Sequence, residues 1–239
     1  MKDELSKELF RKGQMHKYPQ IVCLHGLGGS PRSAKGLLIK ERFKQHGIAT
    51  ELLSVSIPSL ERLSVVLAIQ AVAEELRSRA SEPVVLIGSS FGAFVAIHAL
   101  ASLTPQEKGH VERLVLLAPL FDPWDQNSAL LTPEVQRSWR EVGTFPIMDL
   151  ELKQEVPVHY RLMEELRLFD SSKVSLNIPT LIVHGTQDKT VPCSQSQHFA
   201  AGRGEVQLKL VDQGHQLLED PQGLLLMLEE FILHPLGSS

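Results

Sequence analysis

The chain is poor in cysteine, has no surplus of basic charge and contains no long apolar run, and each shortage excludes a class of protein. Only Cys23 and Cys193 are present among 239 residues; they lie far apart and neither belongs to a CxxC pair. That excludes a disulfide framework and a cysteine-based metal site, and it predicts a reducing, cytoplasmic setting. Lys and Arg number 24 against 28 Asp and Glu, a net charge of −4. No basic patch advertises nucleic acid or anionic lipid, so a small-molecule partner is expected. No stretch approaches the ~18 uninterrupted apolar residues of a membrane span, and Met1 to Lys17 is charged throughout where a signal peptide would be apolar. Internal repeats and low-complexity tracts are absent, and no group of His, Cys and carboxylates has metal-ligand spacing, so neither metal nor cofactor is expected.

What is present is near-average for a globular protein, with 43% apolar and 22% charged residues. At about 100–200 residues per domain, this length predicts one domain, or one with a sizeable insertion. Short apolar runs alternate with segments of helical period, the pattern of a mostly parallel central sheet with helices on both faces. Ile21–Leu24, Val84–Ile87, Leu114–Leu117 and Thr180–Val183 are apolar nearly throughout and predict central strands buried on both sides. Ala49–Val55 and Val206–Val211 alternate polar and apolar residues and predict strands nearer the edges. Helices are predicted over Ser33–His46, Arg62–Arg79, Ala93–Leu100 and Gly223–His234.

Residues 121–170 break the alternation. They carry several prolines, both tryptophans and no convincing strand. Thr132-Pro133 opens one predicted helix, and Val158, Leu162, Leu166 and Phe169 form the apolar stripe of a second. The segment is predicted to be a helical cap inserted into a core made of residues 1–120 and 171–239. Trp124, Trp139, Phe145 and Met148 are its candidate substrate-pocket residues.

Gly88-Ser89-Ser90-Phe91-Gly92 is a G-x-S-x-G between a buried strand and an apolar helix. In a sharp strand-to-helix turn, the positions two before and two after the nucleophile must be small so that strand and helix can approach. Gly88 and Gly92 meet that requirement for Ser90; for Ser89, Phe91 would occupy a close-approach position. A serine needs a base and a carboxylate to orient that base. Asp188 lies just past the Thr180–Val183 strand, and His215 lies in the loop after the last predicted strand, so all three occupy loops at one sheet edge. His25 and His184 each end a strand in His-Gly and are expected to shape loops, and Asp170 is expected to end a helix.

At His25-Gly26-Leu27-Gly28-Gly29, the G-x-S-x-G, His184-Gly185-Thr186-Gln187-Asp188 and Gly214-His215, the sequence resembles the α/β-hydrolase family, in particular small bacterial carboxylesterases with a cap added. The resemblance runs from Ile21 to Leu233 apart from the insertion. It implies an α/β-hydrolase fold, with Asp188 as the acid and His215 as the base; Asp122, soon after the Leu114–Leu117 strand, is the alternative acid because some hydrolases of the fold carry it there. The family usually has two further antiparallel strands before the one ending at His25-Gly26, and with about twenty residues before Ile21 a shortened N-terminus is the expected departure. The backbone N–H groups of Phe91 and Leu27, with Gly28 as the alternative to Leu27, would form an oxyanion hole. The reaction it implies is hydrolysis of a small carboxylic ester through an acyl-enzyme, with no cofactor. A thioesterase, amidase or carbon–carbon bond hydrolase would use the same triad, and a non-catalytic binding member of the fold is the alternative of another class.

Overall fold

The structure, a computed structural model, describes residues 19–125 and 131–234. The expectation of a shortened N-terminus concerns residues 1–18 and lies outside them.

Six strands form one sheet: β1 (Gln20–Leu24), β2 (Thr50–Leu53), β3 (Val84–Ser89), β4 (Val111–Leu117), β7 (Thr180–Gly185) and β8 (Val206–Val211). Their order is β2-β1-β3-β4-β7-β8, and every neighbouring pair is parallel. The two strands of alternating polarity, β2 and β8, are its edges, where one side of each can meet water.

The period of two sorts the central strands into two cores. Val22, Leu24, Leu86, Leu114 and Ile182 face one side, packed with α2 (Val65–Ser78) and α3 (Phe91–Ser102). Ile21, Cys23, Val85, Val115 and Leu181 face the other, with α1 (Ala34–Lys44) and α7 (Pro221–Leu233). Each fully buried aliphatic side chain contributes about 1.5–3 kcal/mol. The helix starts follow local chemistry: Ser33 accepts from Gly36 N–H, and Ser64 from Leu67 N–H, satisfying orphan donors of α1 and α2.

Between β4 and β7 the chain leaves the sheet. As expected, Thr132 caps α4 (Pro133–Val142), with proline in its first turn and Gly143 ending it at φ 83°. The absence of strands does not hold. Thr144–Asp149 (β5) and Gln154–His159 (β6) form an antiparallel hairpin, which places Val158 opposite Phe145 instead of on a helix. Pro146 and Pro157 face each other in its register; proline is tolerated because both strands of a lone hairpin are edges. The predicted second helix is reduced to α5 (Arg161–Leu166), so the insertion is mixed instead of helical. One further helix, α6 (Ser194–Ala200), follows β7. No helix of the described residues is long and apolar enough to cross a membrane.

Candidate active site

Parallel strands deliver the loops after β1, β3, β7 and β8 to one edge of the sheet. Ser90 stands between β3 and α3 with φ 53° and ψ −115°, a left-handed conformation rare for a residue with a Cβ. Such strain costs on the order of 1–3 kcal/mol and persists only where the surroundings enforce it. They do so here: a Cβ on Gly88 would lie 2.6 Å from Ala93 Cα, and one on Gly92 would lie 2.6 Å from the Leu24 carbonyl oxygen. Both glycines are therefore required by close approach of strand and helix.

His215 Nε2 lies 3.0 Å from Ser90 Oγ, and its Nδ1 lies 2.6 Å from Asp188 Oδ2. The Asp188 side chain is fully buried, and its other oxygen accepts the backbone N–H groups of Thr190 and Val191 at 2.8 and 2.9 Å. Burial alone would raise its pKa. Hydrogen bonds from His184, His215 and Val191 outweigh that and hold the carboxyl well below the usual carboxylate range. The loop of His215 sits close to β7 because Gly185 has no side chain: a Cβ there would lie 2.7 Å from the Gly214 carbonyl oxygen. A hydroxyl, an imidazole and a buried carboxylate in such a line can move a proton off the serine.

The loop after β1 closes by a Gly29 N–H to Gly26 C=O hydrogen bond of 3.0 Å, with Gly28 third in the turn at φ 70°. A type II turn demands glycine there. Leu27 N–H has no acceptor among the described residues. Phe91, as the first residue of α3, likewise has an N–H with no helical acceptor, and Ser90 does not cap it. The Ser90 N–H is engaged by Leu117 C=O at 2.9 Å.

The other histidines hold loops. His25 donates from Nδ1 to the Gly26 carbonyl at 2.8 Å and accepts Val55 N–H at Nε2, while His184 bridges Ser196 Oγ, Val191 C=O and Asp188. Burial lowers the His25 pKa and pushes the Cys23 thiol up to about 12. Asp122 accepts Trp124 N–H and meets no histidine among the described residues; Asp170 caps a 3-10 turn. Cys193 precedes α6 as a free thiol.

Ser90 and His215 open onto a cavity of about 700 Å³, walled also by Phe145 and Met148 of the hairpin. Beside Ser90 lies a second, apolar cavity of about 40 Å³, lined by Leu27, Phe91, Trp139, Phe145 and Met163 among others. Trp139 is buried and donates its Nε1–H to Val158 C=O at 2.9 Å, so it anchors the insertion as well as walling the cavity. Trp124 is the exception among the four candidate pocket residues. It lies against Arg167, 4.8 Å from ring centre to guanidinium, and lines a separate cavity with Phe121 and Phe169. Lys35, on the wall of the large cavity, was not anticipated, although Lys35, Ile39 and Phe43 form one i, i+4, i+8 stripe whose other members are apolar. Among the described residues no group of three or more His, Cys, Asp or Glu could hold a metal ion.

The parallel sheet with helices on both faces and this strand-end site define the α/β-hydrolase fold. The chain belongs to the uncharacterised protein family UPF0227, whose family model matches residues 20–219. Among solved structures it is similar to alpha/beta hydrolase domain-containing protein 10 from mouse, at 22% identity and a TM-score of 0.72, covering 90% of each chain. Est1E from Butyrivibrio proteoclasticus follows at 17% identity and 0.70, covering 93% of this chain and 90% of that one. A monoacylglycerol lipase from Paleococcus ferrophilus aligns at 14% and 0.70, over 90% of this chain and 95% of its own. No curated protein sequence matches the chain.

Proposed function

We propose that the chain is a serine hydrolase of small carboxylic esters, with residues 121–170 as a cap over the site. The observation that carries this reading is the 3.0 Å approach of His215 Nε2 to the hydroxyl of a strained Ser90. Ser90 Oγ attacks the acyl carbon while His215 Nε2 takes its proton. Asp188 orients His215 and stabilises the imidazolium. The backbone N–H groups of Phe91 and Leu27 receive the oxyanion; losing one such donor typically costs about 10²–10³ in rate. His215 then returns its proton to the leaving oxygen, and water cleaves the acyl-enzyme by the same route, restoring Ser90.

The hairpin residues Phe145, Ile147 and Met148 wall the cavity onto which Ser90 and His215 open, where a cap shapes the substrate pocket. The unpaired thiols of Cys23 and Cys193 suit a reducing cytoplasm. A hydrolase reading also agrees with the monoacylglycerol lipase among the structural neighbours. The test is hydrolysis of p-nitrophenyl acetate and butyrate by wild type and Ser90→Ala. The variant is expected to lose about 10⁴-fold or more in kcat; a rate within tenfold of wild type would remove Ser90 from the mechanism.

A further inference from the structure

Lys35 is 8% exposed, yet it makes no ion pair among the described residues. Its ammonium donates to Ser89 Oγ at 3.0 Å, one residue from Ser90, and has two further N–H donors on the wall of the 700 Å³ cavity. A buried cation without a counterion is unfavourable unless something on the other side of the cavity wall answers its charge. Burial pulls the amine down to about 8 against the opposing fields of Asp188 and Glu219, which still leaves it charged at neutral pH. Neither carboxylate neutralises it by contact: Asp188 is taken by His184 and His215, and Glu219 accepts the Gly214 and Leu218 N–H groups. The same wall is the first turn of α1, which contains no acidic residue and turns its positive end to the cavity through Ala34, Lys35 and Gly36.

His215 lines this cavity and not the apolar one of about 40 Å³. The leaving oxygen must meet the proton on His215, so the alcohol half of an ester occupies the Lys35 side and the acyl half enters the apolar side. The other fully charged groups that line the large cavity, Arg32, Glu151 and Glu155, are exposed, and Arg32 pairs with Glu151 at 3.3 Å, which leaves Lys35 as its buried charge. One unpaired buried ammonium matches a single negative charge, which favours a carboxylate over a phosphate dianion.

We infer that the substrate's leaving alcohol carries a carboxylate, received by Lys35 and the N-terminal turn of α1 in the cavity beside Ser90. This rests on the hydrolase reading above and assigns Lys35 as a specificity-determining residue, one that binds the part of the substrate that does not react.

The test compares 4-acetoxybenzoate with 4-acetoxybenzamide, equal in acyl group and differing in charge on the alcohol. Wild type is expected to prefer the acid by about tenfold or more in kcat/KM, chiefly through KM, as a charge-assisted hydrogen bond would give. In Lys35→Met that preference should collapse to near one, with a higher Tm because an uncompensated buried charge is gone; Lys35→Arg should retain part of it. Benzoate should compete with substrate in wild type. A wild-type ratio at or below one, or a ratio that survives in Lys35→Met, overturns the inference. Should Lys35→Met fail to fold, the wild-type ratio and benzoate competition decide it. If p-nitrophenyl acetate is cleaved and Ser90 reacts with a fluorophosphonate while the acid is not preferred, the carboxylate inference alone fails. If Ser90 does not react, the hydrolase reading fails with it.

Discussion

Leu150 N–H donates to the Gly28 carbonyl at 2.8 Å, so the turn of the inserted hairpin is fastened directly to the loop after β1. A segment inserted more than a hundred residues later in the chain thus fixes the loop that carries Leu27. Gly28 is central to that fastening: it has φ 70°, and a Cβ on it would collide with the Met148 carbonyl. Gly28→Ala is expected to displace both hairpin and loop. The loss should be about 10²-fold in kcat, the scale of a lost oxyanion donor, with a lower Tm; kinetics and a thermal melt check both.

The two candidate acids differ in geometry. Asp188 lies 2.6 Å from His215 Nδ1, whereas Asp122 caps Trp124 N–H. Asp188→Asn is expected to lower kcat by about 10⁴, as loss of the correct imidazole tautomer does, while Asp122→Asn stays within a few-fold of wild type. Steady-state rates on one ester decide it, and the reverse ranking would move the acid to Asp122.

Asp188 also makes stability depend on pH. Its pKa is lower folded than unfolded, so its contribution is fully present above the unfolded value of about 3.9 and is lost as pH falls through the folded one. The stability advantage of wild type over Asp188→Asn should therefore shrink as pH falls below about 4. Denaturant titrations over that fall in pH measure it.

Glu165 ties α5 of the insertion to the start of α2. Its carboxylate is buried and accepts Ser64 Oγ–H at 2.8 Å and Val66 N–H at 3.1 Å, with Arg161 at its other oxygen. Burial opposes the charge, and these hydrogen bonds outweigh it to keep the pKa below the ordinary glutamate value. Glu165→Ala leaves two donors without acceptors and should cost about 1–3 kcal/mol. Hydrogen exchange should quicken over residues 133–166 if the tie is broken.

The sheet was legible because burial on two faces writes itself as uninterrupted apolar runs: Ile21–Leu24 and Thr180–Val183 could be nothing exposed. Alternation likewise marked β2 and β8 as the edges. Gly88 and Gly92 were legible for a steric reason, and the structure shows the backbone atoms that demand them. The hairpin was not legible, because Pro146 and Pro157 argue against strands unless both strands are edges, and that depends on the rest of the fold. Helix α6 is short and polar, with Gln195 accepting the Phe121 and Asp122 N–H groups, so it carries no apolar stripe to read. Trp124 could be assigned to the insertion but not to a cavity; its side of the molecule is set by Arg167, more than forty residues away in sequence. Lys35 is a lysine in an apolar stripe, a local contradiction of the kind that marks a functional position.

The claim on which everything else rests is that Ser90 is the nucleophile. Treating the folded protein with a fluorophosphonate and mapping the adduct by peptide mass spectrometry tests it most directly. One modification is expected, on Ser90, abolished in Ser90→Ala and greatly slowed in His215→Ala. Folded protein that remains unmodified, or an adduct on Ser89 instead, would contradict it.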